Sequence, residues 1–113
     1  MRQVHIQALA SQTAATVNSA AIPAMNLFYC SAQIAATGSA AGTLVIQASN
    51  DDLSGEPTLV PTNWSSIATA TVSVAGAGAY LIPTITLCYQ YVRVSYTNTG
   101  AGTIAVTFKA LGD

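Results

Sequence analysis

Charge is what this chain has least of. Arg, Lys, Asp and Glu make up 6% of its 113 residues, where an ordinary soluble domain carries roughly 25%. The cations are Arg2, Arg93 and Lys109, and the acids are Asp51, Asp52, Glu56 and Asp113. Three scattered cations do not form the clustered positive surface that neutralises phosphates, which argues against nucleic acid as a partner. Nor do they supply the basic face of a membrane-surface helix. The apolar stretches are interrupted well before the ~18 residues that a membrane-spanning helix requires, although hydrophobic residues reach 51%, much of it alanine. A formal net charge of −1 leaves little repulsion between molecules, and near-zero charge favours association. The expectation is an outer surface covered in use, by copies of the chain as a dimer or higher homo-oligomer, or by another protein.

Reactive side chains are equally scarce. His5 is the only histidine, and neither a nucleophile nor a carboxylate is placed by the sequence to work with it. It reads as a polar strand residue that faces solvent or an interface. Cys30 and Cys88 fall on expected strands in apolar context, where the thiolate is disfavoured and core packing is the simpler role. They lack the close spacing of a zinc or redox pair, and a disulfide between them is the lesser alternative. The N-terminus, MRQVHIQALASQTA, has one cation and then alternates, without the unbroken apolar run of a secretion signal. Synthesis in a cytoplasm without export is therefore expected. Asn50, Asp51, Asp52 and Glu56 concentrate oxygen ligands in one loop, but the alternate-position pattern of a calcium loop is not met. A solvated turn is the better reading. No catalytic residue, metal site or cofactor is expected, and the chain reads as a non-enzyme.

What is present is alternation. Residues 42–67, GTLVIQASNDDLSGEPTLVPTNWSSI, organise the rest. Leu44, Ile46 and Ala48 fall on one face of a strand, with Thr43, Val45 and Gln47 on the other. The strand stops on the turn-forming run Ser49-Asn50-Asp51-Asp52. A loop containing Gly55, Pro57 and Pro61 follows, and Trp64, the one tryptophan, is expected to anchor one end of the core. Before this unit, Val4, Ile6 and Ala8 alternate with Gln3, His5 and Gln7. Residues 11–24 read as loop and short strand. Residues 25–35 make a long strand whose better core face is Phe28, Cys30, Ala32 and Ile34. With the Thr37–Gly42 turn, residues 25–48 are expected to form a β-hairpin. After Trp64, residues 67–74 place Ala68, Ala70, Val72 and Val74 inward. Strands at 79–82, 88–96 and 103–110 follow, the last with Ile104, Val106, Phe108 and Ala110 inward.

About eight strands joined by Gly, Ser, Asn and Pro connections predict one all-β domain over 1–113, an antiparallel β-sandwich. A jelly roll fits best, with an immunoglobulin-like sandwich as runner-up. Tyr80, Tyr89, Tyr91 and Tyr96 with Trp64 could line a sugar-stacking platform, but core, cross-strand or interface roles are commoner for such aromatics. Arg93, Lys109, Tyr91 and His5 are the candidate interface residues.

Five segments then occur in one order: GTLVIQASND at 42–51, PTNWSSI at 61–67, GAGAY at 76–80, YQYVRVSYT at 89–97 and GAGTI at 100–104. Together they resemble a group of small single-domain virion proteins of tailed bacteriophages, of the capsid decoration, cement or staple type. The resemblance covers residues 25–110. It implies a virion protein made in the cytoplasm of a bacterial host that binds the major capsid protein and stabilises the shell without chemistry. The YVRV-type strand is also similar to part of discoidin-like carbohydrate-binding jelly rolls. A carbohydrate- or receptor-binding module of the tail or particle surface is therefore the alternative.

Overall fold

The computed structural model describes residues 2–12, 16–51 and 60–112, and within β1 the side chains of residues 3–9. Every regular element among them is a strand: β1 (Arg2–Gln12), β2 (Thr16–Asn18), β3 (Ile22–Pro23), β4 (Leu27–Thr37), β5 (Ala41–Ser49), β6 (Ser65–Ala75), β7 (Gly78–Thr86), β8 (Tyr91–Asn98) and β9 (Thr103–Gly112). They form two antiparallel sheets. One has the order β1-β9-β4-β7, and the other β2-β8-β5-β6, with β3 pairing farther along β8. Because β2 and β3 share one edge position, the sandwich has eight strand positions, as the alternation predicts. The wrap is jelly-roll-like.

The inner faces of the two sheets meet in one apolar layer. Val92, Val94 and Tyr96 of β8 and Leu44 and Ile46 of β5 come from one side; Ile34 of β4, Ile82 of β7, and Val106 and Phe108 of β9 come from the other. All are side chains that strict alternation turns inward. Residue 42 is glycine because a Cβ there would collide with the Thr97 backbone carbonyl and also approach the Tyr96 hydroxyl to 2.7 Å. Gly102 is needed for a second reason, because its φ of +140° lies where side chains are rarely tolerated.

Three expectations are corrected. Residues 25–48 are not a hairpin. β4 pairs with β7 and β9, whereas β5 pairs with β6 and β8, so the Thr37–Gly42 segment carries the chain from one sheet to the other. The short connections after β6 and β8 make the same kind of crossing. Second, Leu27 is buried and Phe28 is 50% exposed, the reverse of the expected phase. Leu27 pairs with Gly112 and Tyr29 with Leu111, so an extra residue is inserted in β4. Such a bulge inverts the phase of everything before it. It follows directly on Asn26, whose φ is 70°, a conformation that asparagine tolerates better than most residues. Third, Ala68 is exposed. Between the pairs Val45–Thr71 and Gln47–Ser66 the ladder is irregular, and only Ala70, Val72 and Val74 keep the inward phase.

The two phenylalanines therefore differ sharply. Replacing Phe108, which is fully buried, with Ala should cost about 3–5 kcal/mol. Phe28→Ala should cost about 1 kcal/mol or less, as for other partly exposed sites. Urea denaturation of both variants checks this; equal losses would contradict the bulge.

Candidate functional site

The candidate interface residues do not converge. Strand pairing puts His5 directly opposite Lys109, and Lys109 opposite Ser31, on the outer face of the β1-β9-β4-β7 sheet. Arg93 and Tyr91 share the outer face of the other sheet, because both point away from the core along β8. The four residues thus form two groups on opposite sides of the sandwich.

The outer face of the four-stranded sheet is broad and nearly uncharged. Its rows follow from register: Gln3, Leu111, Tyr29 and Thr86; then His5, Lys109 and Ser31; then Gln7, Thr107, Gln33 and Leu81. Lys109 is the sole Lys, Arg, Asp or Glu in these rows. Tyr29 is 50% and Leu81 63% exposed, and with half-buried Leu111 beside Tyr29 they stand among otherwise small and polar neighbours. Sequence reading turned Tyr29 outward but did not single it out. Its lateral neighbours Leu111 and Thr86 come from strands remote in sequence.

On the other face, Arg93 is engaged within the chain. Its guanidinium lies 4.4 Å from the centroid of the Trp64 ring, and its Nε donates to Gln47 Oε1 at 2.8 Å. Partial burial lowers its pKa from the ordinary arginine value. Trp64 Nε1 donates to the Pro61 carbonyl at 3.1 Å. Trp64 is therefore half-buried on an outer face and outside the core cluster, contrary to the expected anchor. Stacking on a cation and satisfying its N–H draw it there. Beside it, Val60 is 69% exposed and, with Pro61, Ala20 and Ala21, borders a shallow recess.

The expected aromatic platform is not assembled. Tyr96 is buried in the core. The Tyr80 hydroxyl accepts from Ala75 N at 3.2 Å and donates to Gly76 O at 3.1 Å, tying β7 to the end of β6. Tyr89 is half-buried near the far end of β8.

Of the acidic loop, Asp52 and Glu56 lie outside the described residues. Asp51 closes a clasp across that loop: Oδ2 accepts from Thr62 N at 2.8 Å and Asn63 N at 3.1 Å, and Oδ1 from Asn63 Nδ2 at 2.9 Å. Asn50 Oδ1 accepts from Gln90 N at 3.0 Å. These bonds make Asp51 and Asn50 turn-forming groups. Among the described residues no three His, Cys, Asp or Glu side chains gather. The Asn63 side-chain amide, followed by the Thr62 and Asn63 backbone amides, pulls the Asp51 pKa below its usual value. The clasp's contribution is then present above the unfolded-state pKa and is lost as pH falls through the lower folded one. In an NMR titration, the Thr62 and Asn63 amides should report a midpoint below the usual aspartate range, absent in Asp51→Ala. A midpoint at or above that range would rule out the clasp.

Both cysteines are free, Cys30 buried and Cys88 exposed. The alternative of a disulfide between them is not realised. Cys88 precedes β8, so its expected strand burial is corrected, while desolvation pushes the Cys30 thiol up to about 12. A thiol reagent should label Cys88 rapidly in the native protein and Cys30 only after denaturation. Fast labelling at both positions, read by peptide mass, would contradict the burial of Cys30.

No family model and no curated protein matches the sequence. Solved structures do share the fold. The PBSX exported protein XepA matches over 97% of this chain with a TM-score of 0.72 at 17% identity, and this chain spans 37% of XepA. The SPBc2 prophage-derived protein YomS matches 96% of this chain and 92% of its own, with a TM-score of 0.59 at 10% identity. Bacillus endospore appendages, a family of disulfide-linked pili, match 98% and 89% with a TM-score of 0.50 at 17% identity. At these identities the likeness concerns the fold alone.

Proposed function

We propose that this chain is a non-enzymatic structural protein of a phage-type particle, one that docks on the major capsid protein and on copies of itself and stabilises the shell. The observation that carries this reading is the outer face of the four-stranded sheet. Charged groups are depleted there and Tyr29 and Leu81 are exposed, and this combination characterises the cores of protein interfaces. A rigid sandwich holds that face in a fixed shape, so docking requires little ordering on the chain's side. The prophage origin in the name of YomS, and the segments that resemble virion decoration proteins, support a particle as the setting. A decoration role needs no reacting group. It buries surface on neighbouring shell subunits and resists their separation.

A carbohydrate- or receptor-binding module on the particle surface is the second reading. Its support is Trp64 beside exposed Val60. Against it stands the Arg93 guanidinium, which already covers one face of the indole. Glycan-array binding that disappears in Trp64→Ala would favour this reading over the first.

Few ionic groups are available to hold such a contact, and exposed ion pairs contribute only about 0–1 kcal/mol each. Purified protein should therefore co-sediment with particles made by the genome that encodes it. Attachment should persist from about 0.1 to 1 M salt, where the screening length falls from roughly 10 to 3 Å. Neutralising Lys109 should slow capture modestly without abolishing it. Absence of co-sedimentation would overturn the particle reading. Release in 1 M salt would overturn the ion-independent contact.

A further inference from the structure

The four sheet-edge positions are not equally protected against pairing with another chain. β1 has two register shifts, between Gln7 and Leu9 and between Leu9 and Gln12. β2 and β3 are short, and β3 contains Pro23. β7 contains Pro83 and pairs irregularly with β4 between Cys30 and Ala32. Charge, proline, brevity and bulges are the devices by which natural sheets blunt their edges. β6 has a bulge in its first half, but residues 71–75, Thr-Val-Ser-Val-Ala, pair with β5 without interruption and contain neither charge nor proline.

The direction of the backbone groups in this segment follows from two hydrogen bonds. Gly76 N donates to Ala40 O at 2.7 Å, which makes the facing residues Ala41 and Ala75 a non-hydrogen-bonded pair of the ladder. By alternation, Val74 and Val72 exchange bonds with β5, while the N–H and C=O groups of Thr71, Ser73 and Ala75 point to the open side. The Ala75 N–H confirms the direction, since it donates away from β5 to the Tyr80 hydroxyl. Among the described residues no strand other than β5 pairs with β6.

We propose that residues 71–75 of β6 form a self-complementary edge that pairs antiparallel with the same segment of a second copy, about a two-fold axis at Ser73. In that register Ser73 exchanges both backbone bonds with its counterpart, and each Thr71 N–H donates to the Ala75 carbonyl across the axis. Each Thr71 carbonyl takes the place of the Tyr80 hydroxyl on the facing Ala75 N–H, and Tyr80 keeps its bond to Gly76 O. Val72, half-buried although it points inward, lies beside Val74 of the second copy and is covered by it. Valine beside valine and serine beside serine are favourable cross-strand neighbours. The occupant is a second copy because one short segment supplies matched donors, acceptors and side chains, and no charge on it repels its duplicate or selects a different partner. The joined β2-β8-β5-β6 sheets then run continuously through both molecules.

This deepens the assembly reading above and takes its biological purpose from it, but the contact is measurable without a particle. In sedimentation velocity the full chain should show a concentration-dependent dimer. Ser73→Lys sets two like charges across the axis and should weaken the dimer by about fivefold or more. Ser73→Pro removes an N–H that the β5 ladder does not use and should act likewise. Thr16→Lys, the same added charge on the exposed β2 edge at the far side of this sheet, should leave dimerisation unchanged. Hydrogen exchange on the unaltered chain tests the contact even if a variant fails to fold: the Thr71 and Ser73 amides should slow as concentration rises. A monomer up to the solubility limit, amides whose exchange ignores concentration, or a well-folded Ser73→Lys that dimerises like the parent would overturn the proposal. So would a parent monomer that uses Ser73 only to bind particles. A β6 dimer that ignores particles would instead sink the particle reading and leave this edge standing.

Discussion

Contact between two apolar sheet faces is the interaction on which the rest of this molecule depends. The described side chains offer one stacked cation and a loop clasp as their electrostatic features, so cohesion rests on backbone ladders and the layer between the sheets. That layer is built from β-branched and aromatic residues in strict alternation, and a register slip of one residue would turn each such set toward solvent. β8 and β9 illustrate the constraint. They are consecutive in sequence, each lies between neighbours in its own sheet, and together they contribute Val92, Val94, Tyr96, Ile104, Val106, Phe108 and Ala110 to the core. Gly42 makes room for the ring of Tyr96. The phenol's oxygen is buried with no hydrogen-bond partner among the described residues, and desolvation is the larger of two causes that raise its pKa. Filling the layer with an aromatic ring therefore leaves a polar atom unsatisfied, a cost that the surrounding packing must exceed.

Alternation made most strands legible, because a period of two needs only local residues. The inward sets of β5 and β9 were readable in this way, whereas Tyr96 of β8 was grouped with a possible surface platform. Sheet membership was not. A Gly-rich connection such as Thr37–Gly42 serves equally well for two strands side by side and for two strands facing each other across a sandwich. The choice is made by partners distant in sequence, here β9 for β4 and β8 for β5. Bulges were hidden for a related reason. The inserted residue near Phe28 exists only relative to β9, and nothing in Met25–Tyr29 taken alone marks the change of phase.

The candidate surfaces were legible residue by residue but not as surfaces. Each of His5, Tyr91, Arg93 and Lys109 points outward from its strand. Whether two such residues meet depends on which sheet each strand joins, and the crossing after β8 places Arg93 and Lys109 on opposite sides of the molecule. Trp64 shows the limit of composition as a guide. A lone tryptophan is commonly a core residue, yet its N–H finds the Pro61 carbonyl and its ring finds the Arg93 guanidinium on an outer face. A side chain with an apolar body and a polar edge settles where both are satisfied.

Low charge also restricts how any partner is found. Electrostatic steering raises association rates by orders of magnitude where fields are strong. A surface whose outer rows hold a single cation, Lys109, cannot draw a partner from a distance, and its encounters proceed at the ordinary rate of about 10⁵–10⁶ M⁻¹s⁻¹ for unsteered proteins. Durable attachment must then arise after contact, from shape, backbone pairing and repetition. A small sandwich offers limited area to any one neighbour, but the proposed sheet-face and strand-edge contacts together would hold one molecule twice. The second bond forms at the high effective concentration set by the first. This suits a repeating lattice, where each copy finds partners already arranged at fixed spacing, and it suits a free encounter in dilute solution poorly. On the proposed reading, the scarcity of charge favours contacts that form where many copies stand close together.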